Sequence, residues 1–309
     1  MAKVIVIGAG PAGIMAAIHA SKKHNVTILD GNDRIGKKLF ITGKGRCNVT
    51  NSKDISEFFD YIPGNPHFLY SALYSYTNED TMNFFENVGI KLKVERGGRV
   101  FPMSDKSSDI IKGLSIGLKE SNVQVKLNSK VTNIIYDANK IVGVEINNST
   151  KLYGDYFIIA TGGASYPLTG SRGEGQKFAK KLGHTIIELK PSLVPIELNE
   201  SWLKDLMGLS LKNISLSILK NNKVLYKNQG EMLFTNYGIS GPLVLSGSRY
   251  VKNEGNYEAV DEMPMDIFNE TINLCDKYVK NREMNNKECK ELAALLEKIF
   301  PFGVQIIKA

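Results

Sequence analysis

The glycine-rich segment between residues 8 and 13 constrains the fold of this chain more than any other feature. It has the pattern Gly8-x-Gly10-x-x-Gly13 and directly follows the short β-branched run Lys3–Ile7. The Ala-rich run Ile14–Ser21 favours a helix, and Val26–Leu29 then predicts a second strand. A strand, a glycine turn, a helix and a strand in this order predict a βαβ unit in a parallel sheet with a right-handed crossover.

The same glycine turn (residues 8–13) predicts a site for an adenine dinucleotide. Gly8 permits the tight turn, Gly10 lets the backbone approach a pyrophosphate, and Gly13 lets the helix pack closely on the strand. Pro11 and Ala12 open that helix, whose free N–H groups and positive dipole end attract phosphate.

Asp30 narrows the choice of dinucleotide. It ends the second strand, 20 residues beyond Gly10, where a carboxylate accepts hydrogen bonds from ribose hydroxyls. Its charge disfavours a 2′-phosphate, and therefore NADP, at this site. FAD and NAD both remain compatible with the pattern.

A basic, glycine-rich loop from Gly31 to Asn51 favours FAD over NAD. Gly43-Lys44 is not a phosphate-binding P-loop, because Gly45 stands where that motif requires Ser or Thr. We expect the loop to lie along a long dinucleotide, beside its phosphates and ring system. The candidate cofactor-binding residues of this loop are Lys37, Lys38, Gly43, Gly45, Arg46, Cys47 and Asn48.

Composition limits the class of protein. Hydrophobic residues make up 42% of the 309 and charged residues 23%, which excludes disordered and fibrous classes. The net charge of +7 suits an anionic ligand or a nucleic acid. No apolar run approaches the roughly 20 residues of a membrane helix. Three cysteines without a C-x-x-C pair, and no signal-peptide pattern, predict a cytoplasmic protein.

The strand and turn patterns predict two domains. Residues 1–190 predict an α/β domain whose parallel sheet is followed by an antiparallel meander, with Tyr153–Ala160 as a final parallel strand. From Pro191 the pattern becomes β-rich, with a hairpin at Asn221-Asn222. This second domain spans 191–299 and ends in a helical tail from about Met265 to Ile299, while the apolar residues 300–309 predict one more strand.

Several segments resemble the HI0933-like bacterial flavoproteins, in order along most of residues 1–250. They are Gly8–Gly13 with Asp30, Gly43–Asn48, Gly98–Pro102, Ala160–Pro167, and Phe234-Thr235 with Gly238–Pro242. The resemblance implies an FAD-type Rossmann domain interrupted by a β-barrel-like insert with helices. Members are labelled NAD(P)/FAD-dependent oxidoreductases, and some are called aminoacetone oxidases or linked to bile-acid metabolism.

The resemblance also implies roles for particular segments. The turn Thr161-Gly162 is expected to pass close to the dinucleotide, and the backbone of Val131 to meet the adenine edge. A return to the first domain after the insert is expected, with a glycine-rich turn over the flavin ring. Nothing after Phe302 supplies that turn, so we expect residues 300–309 to be the truncated start of the return.

Cysteines and histidines offer no further chemistry. Cys47 has no nearby resolving cysteine, so a structural or flavin-packing role is favoured over a redox role. Cys275 and Cys289 lie in the predicted tail and are expected to be chemically silent. The four histidines lack ligand spacing, and no metal site is predicted.

These observations lead to one main hypothesis and two alternatives. The favoured function is an FAD-dependent oxidoreductase that moves a hydride or two electrons between flavin and a small organic substrate or transient NAD(P)H. No catalytic base is identifiable. One alternative is a shortened, catalytically silent dinucleotide-binding protein. The other is an RNA-modifying flavoprotein, motivated only by the basic charge. Because the lysines are evenly spread without interleaved aromatics, we expect a small-molecule partner and no nucleic acid or membrane.

Overall fold

The computed structural model describes residues 1–62, 64–137, 140–199, 203 and 206–251, together with the strands 257–262 and 304–308. The described strands are β1 (Lys3–Ile7), β2 (Asn25–Leu29), β3 (Thr50–Asn51), β4 (Leu92–Glu95), β5 (Arg99–Pro102), β6 (Gln124–Lys126), β7 (Val131–Asp137), β8 (Lys140–Ile146), β9 (Thr150–Tyr153), β10 (Tyr156–Ile159), β11 (Ile196–Leu198), β12 (Ser210–Lys220), β13 (Lys223–Thr235), β14 (Gly238–Ser240), β15 (Tyr257–Glu262) and β16 (Val304–Lys308). The described α-helices are α1 (Pro11–Ser21), α2 (Lys37–Phe40), α3 (Tyr70–Ser75), α4 (Asn78–Asn87), α5 (Ser107–Glu120), α6 (Glu174–Lys181) and α7 (Pro242–Gly247). Short 3₁₀ turns occupy Thr42–Gly45, Ile55–Tyr61, Pro66–Leu69, Arg96–Gly98, Pro167–Thr169 and Ser248–Tyr250.

The chain divides into two compact units, Met1–Ile186 and Ile187–Ala309. The division lies a few residues before Pro191, where the sequence changes character.

A four-stranded parallel sheet organises the first unit, in the order β10-β1-β2-β6. The predicted βαβ unit is therefore confirmed. Val4 and Val6 of β1 pack on one face with Ile14 of α1, and Ile5 and Ile7 pack on the other face in a second cluster. Burial on both faces explains why β1 is a continuous apolar run instead of an alternating one.

The carboxyl ends of these parallel strands meet at one edge of the sheet. The chain leaves β1 into the glycine turn, β2 into Asp30, and β10 into Ala160-Thr161-Gly162. Three segments that the sequence marked as candidates thus converge because the strands before them are parallel and in register.

Two antiparallel sheets accompany the parallel one, with orders β7-β8-β9 and β3-β5-β4. The first is the predicted meander. The run Tyr153–Ala160 was predicted as one strand, but the chain turns at Gly154-Asp155, where Asp155 N donates to Lys3 O (2.8 Å). Tyr153 therefore ends the meander, while β10 joins the parallel sheet.

The segment before α4 has no buried core. None of the residues in Ile55–Tyr61, Pro66–Leu69 or Tyr70–Ser75 is buried. Phe59, Tyr70 and Tyr74 pack mainly on one another, with ring centroids 4.6–6.0 Å apart. The helix that follows begins sharply because Thr77 and Asp80 form a reciprocal capping box.

The second unit contains a closed barrel with strand order β11-β14-β13-β12-β15-β16. Asn221 and Asn222 form its predicted hairpin turn, with φ of 51° and 61°. Val304–Lys308 pairs with β11 and β15 and so closes the barrel. The expectation that residues 300–309 start a return to the first domain is therefore wrong for this strand, which satisfies its backbone groups in the barrel. The predicted helical tail, with Cys275 and Cys289, lies outside the described residues.

Candidate functional site

A cleft of about 400 Å³ lies at the carboxyl edge of the parallel sheet. Ligands bind at this edge in open α/β sheets, and small-molecule sites typically measure roughly 300–1,000 Å³. The predicted residues that line it are Gly8, Gly10, Pro11, Ala12, Asp30, Lys37, Lys38, Val131, Thr161 and Gly162. The predicted residues that do not line it are Gly13, Gly43, Gly45, Arg46, Cys47 and Asn48.

Two glycines of the turn are required by packing. Gly8 has a φ of +111°, and a Cβ there would overlap the carbonyl oxygen of Ala160 on the neighbouring strand. A Cβ at Gly13 would overlap the carbonyl oxygen of Gly8 itself. Gly13 therefore acts behind the cleft, where it lets α1 approach the turn.

Gly10 is different, because it faces open space. Its φ of −79° is ordinary for any residue, and among the described residues a Cβ there would meet no heavy atom within 4 Å. Pro11, which has no N–H, opens α1, and the first intrahelical bond runs from Ile14 N to Gly10 O. The N–H groups of Ala12 and Gly13 precede that bond, so they are available to an anion.

Asp30 is held in a fixed orientation by three N–H donors. Its Oδ1 accepts from Asn32 N (2.7 Å) and from Asn32 Nδ2 (2.8 Å), and its Oδ2 accepts from Ala9 N (2.6 Å). An ionised carboxylate offers about four acceptor positions, two on each oxygen. One position on Oδ2 is thus left for a ligand hydroxyl.

Cations outnumber carboxylates along the cleft. The charged residues that line it are the cations Lys37, Lys38, Lys130 and Arg172 and the carboxylates Asp30 and Glu174. Lys130 Nζ lies 3.9 Å from Glu174 Oε1, and Lys38 Nζ lies 3.5 Å from Ser165 Oγ. Lys37 Nζ also lies 3.8 Å from Asp33 Oδ1. The remaining excess of positive charge favours an anionic ligand, such as a pyrophosphate diester.

The remaining predicted residues of the cleft are placed by neighbouring strands. Val131, which is buried, begins β7 shortly after β6 ends at the same edge. Thr161 and Gly162 follow β10, and Gly162 has a φ of +74° with Ser171 Oγ 2.8 Å from where its Cβ would lie. A side chain at 162 would therefore push on the far wall of the cleft.

The sequence did not predict the wall of the cleft that lies across from Asp30. It consists of Lys130, Glu174 and residues 169–172, which belong to a rim loop that spans residues 166–173. The available signal was the pair Gly170 and Gly173, both with positive φ, immediately before α6. Nothing local in the sequence indicates that this loop lies across from Asp30.

The GKGRCN segment, Gly43–Asn48, is engaged elsewhere. Arg46 forms ion pairs with Glu95 and with Asp105 (Nη2 to Oδ1, 2.6 Å), and its guanidinium lies 4.3 Å from the Phe101 ring centre. Lys93 Nζ also lies 2.6 Å from Asp105 Oδ2. The segment is thus tied to the sheet β3-β5-β4.

The ion pairs around Arg46 shift the pKa values of Arg46, Glu95 and Asp105. Arg46 lowers the pKa of Glu95 below its ordinary value by hydrogen bonding. Lys93, with Arg46 second, lowers the pKa of Asp105 in the same way. Glu95 and then Asp105 raise the pKa of Arg46. Each shift favours the charged forms, so the cluster is self-neutralising.

Cys47 and Asn48 are also committed to the interior. Cys47 is 1% exposed, and burial raises the pKa of its thiol, which disfavours the reactive thiolate. In the amide orientation that satisfies its neighbours, Asn48 donates to Val100 O (3.1 Å) and Thr50 O (2.9 Å). Both residues line a smaller cavity of about 130 Å³ that shares Pro11 with the main cleft.

Among the residues that the structure describes, no helix has the length and apolar character needed to cross a membrane. Within the same residues, no cluster of His, Cys, Asp and Glu is arranged to hold a metal ion.

Comparison with known families gives two matches along the chain. The HI0933-like protein Rossmann domain matches residues 2–243. The HI0933-like protein barrel and H2TH domain matches residues 190–302. The parallel sheet and the barrel described above correspond to these two descriptions.

Individual relatives agree with the family matches. A 3-dehydro-bile acid delta(4,6)-reductase of Clostridium scindens is 31% identical over 261 residues, covering 84% of this chain and 62% of the relative. A ribosomal RNA dihydrouridine synthase of Haemophilus influenzae is 33% identical over 274 residues, covering 87% of this chain and 66% of the relative. The chain spans less than two thirds of the length of each.

Among solved structures, a quinol-fumarate reductase with menaquinol molecules matches with a TM-score of 0.50 and 16% identity. The match covers 69% of this chain and 44% of that chain. At this identity the likeness concerns the fold alone.

Proposed function

The chain belongs to the HI0933-like family, and on that premise we propose that it is an FAD-dependent oxidoreductase. The cleft would hold the dinucleotide. The substrate would be a small organic molecule or a nicotinamide.

The observation that carries the proposal is the complementarity between the cleft and one end of a dinucleotide. The open glycine turn and the first N–H groups of α1 suit a pyrophosphate. The acceptor position left on Asp30 Oδ2 suits a ribose hydroxyl. Lys37 and Lys38 lie in the same cleft and would balance the phosphate charge.

FAD fits these residues better than NADP. A 2′-phosphate beside Asp30 would face a carboxylate that three N–H donors hold in place. Gly10 provides the room for close backbone approach, since a Cβ there would point into unfilled space among the described residues. Bound flavin would supply the acceptance and donation of a hydride or an electron pair.

The protein's own residues would bind and orient the cofactor. The glycine turn would fix the phosphates, Asp30 would fix the ribose, and the buried Val131 would form an apolar wall beside them. No residue of the cleft is assigned as a catalytic acid or base. The redox step would depend on where the substrate is held against the flavin.

A direct test is to purify the protein, record its visible spectrum, and identify any released cofactor by mass. The folded protein should then be titrated with FAD, NAD and NADP, with FAD expected to bind tightest. Anaerobic addition of NADH or NADPH should bleach the bound flavin. Binding without reduction by either donor would remove the nicotinamide as substrate and leave the small organic substrate and the catalytically silent alternative. A folded protein with no affinity for FAD would contradict the proposal.

A second candidate function is an RNA-modifying flavoprotein. The name of the Haemophilus influenzae relative, together with the net charge of +7, favours it. Reduced protein should then convert uridine to dihydrouridine in a ribosomal RNA fragment, and RNA binding should weaken as salt rises. Salt-independent binding or an unmodified transcript would exclude this candidate and leave the small-molecule substrate.

A further inference from the structure

Asn32 connects the two walls of the cleft. Its Nδ2 donates to Asp30 Oδ1 (2.8 Å) on one side and to Thr169 O (3.2 Å) of the rim loop on the other. Its backbone N also donates to Asp30 Oδ1 (2.7 Å). A single side chain thus uses both of its amide hydrogens to hold a carboxylate and a loop together.

The two carboxylate oxygens of Asp30 therefore accept different numbers of hydrogen bonds. Oδ1 receives two hydrogen bonds from Asn32, while Oδ2 receives one from Ala9 N. With about two acceptor positions on each oxygen, Oδ1 is filled and Oδ2 keeps one position. The carboxylate can therefore accept one ligand hydroxyl, from one direction.

The rim loop depends on the same contact. Within the loop, Thr169 Oγ1 donates to Tyr166 O (2.7 Å) and Arg172 Nε donates to Pro167 O (3.1 Å). These bonds fold the loop on itself, whereas the bond from Asn32 ties it across the cleft. A Cβ at Gly170 would lie 2.7 Å from Asn32 Nδ2, so the loop and the amide fit closely.

We infer that Asn32 is a specificity-determining residue, which positions Asp30 so that the cleft selects ligands carrying a free hydroxyl on the adenosine ribose. The inference rests on the proposed dinucleotide site. Asn32 does not line the cleft and acts through Asp30. Without its side chain, Asp30 keeps the bonds from Asn32 N and Ala9 N, but Oδ1 regains an acceptor position and the carboxylate is held less firmly toward the ribose.

The test measures discrimination between two ligands. ADP and 2′,3′-dideoxy-ADP are titrated by calorimetry into the wild-type protein and into Asn32→Ala. The wild type should prefer ADP by about tenfold, the size of one hydrogen bond to a charged group. In Asn32→Ala this preference should fall below about threefold, mainly because ADP binds less tightly.

Two further variants keep the test decisive. Asn133→Ala removes an amide of the meander that does not line the cleft, and it should keep the wild-type preference. Asn32→Ser retains a short donor for one of the two partners and should show an intermediate preference. It also serves if Asn32→Ala does not fold.

The outcomes separate the inference from the proposed function. Equal weakening of both ligands in Asn32→Ala, with the preference kept, would assign Asn32 a structural role only and overturn the inference. A folded wild-type protein that binds neither ligand would overturn the dinucleotide site itself. A wild type that binds both equally would remove the ribose role of Asp30, and with it the role of Asn32.

Discussion

The glycine turn and the GKGRCN segment both predict cofactor contacts from sequence, but the structure treats their polar groups in opposite ways. In the glycine turn, the N–H groups at the start of α1 face a cleft, and Gly10 leaves the approach open. In the GKGRCN segment, Arg46 is paired with Glu95 and Asp105, and Cys47 is buried. The difference indicates that residue type alone does not mark a binding site, because carboxylates of the chain already engage the cation of the GKGRCN segment.

Charge type alone is therefore a poor guide to ligand binding in this protein. Arg46 and Lys38 are both cations of the same loop. Only Lys38 lies in the cleft, since Arg46 is held by two carboxylates on other segments. Neutralised cations of this kind give shape to a loop but attract no phosphate.

Gly13→Ala should produce the largest effect and sharpen the distinction within the glycine turn. Because the new methyl group would overlap Gly8 O, we expect a loss of about 3 kcal/mol or more in the free energy of unfolding. Urea denaturation measures this loss. Gly10→Ala is the matched control and should stay within about 1 kcal/mol of the wild type. Equal stability of the two variants would contradict the assigned packing role.

Gly10→Val should act on the ligand and leave the fold intact. Its side chain would project into the space that a pyrophosphate needs, so FAD affinity should fall at least about 100-fold. Fluorescence titration measures the affinity, and thermal unfolding without ligand serves as the folding control. If the folded variant kept wild-type affinity, the glycine turn would not be the phosphate site.

Arg46→Ala tests whether the GKGRCN segment contributes to cofactor binding, which would contradict the comparison drawn above. From the ion pairs, we expect a lower thermal midpoint, because Glu95 and Asp105 lose their shared partner. FAD affinity should change less than about threefold, because Arg46 does not line the cleft. Arg46→Lys keeps the charge as a control. A loss of affinity as large as that of Gly10→Val would place the cofactor against this segment.

Acidification should have the smallest effect on stability, and this effect should come from the charge cluster of Arg46. The pKa values of Glu95 and Asp105 are lowered in the folded protein, so these groups stabilise it above their ordinary range. That stability is present above about pH 4 and is lost as pH falls through the lowered pKa values. The wild type should exceed Asp105→Asn in urea midpoint at pH 7, and the gap should close toward pH 3. A gap independent of pH would contradict the ion-pair origin.

The elements that the sequence predicted well are those fixed by neighbouring residues. The bounds of β1 were predicted without error, and those of α1 and β2 to within a few residues, because the glycine turn, the apolar runs and Asp30 lie within thirty residues of one another.

The features that were missed depend on distant parts of the chain. Arg46 pairs with Glu95 and Asp105, 49 and 59 positions away, and no local pattern reveals such partners. Val304–Lys308 finds its neighbours in β11 and β15 of the barrel, which the apolar run itself does not specify. Thr169 of the rim loop accepts a hydrogen bond from Asn32, 137 positions away. Long-range pairing is decided by the whole fold.

The exposure of the stretch Ile55–Ser75 indicates where the chain can tolerate cleavage or insertion. Since none of its described residues is buried, opening it exposes little new apolar surface and costs little free energy. Phe68 and Tyr70 are 81% and 53% exposed, within reach of an aromatic-specific protease. The stretch is therefore a natural point for proteolytic nicking or for a tolerated insertion.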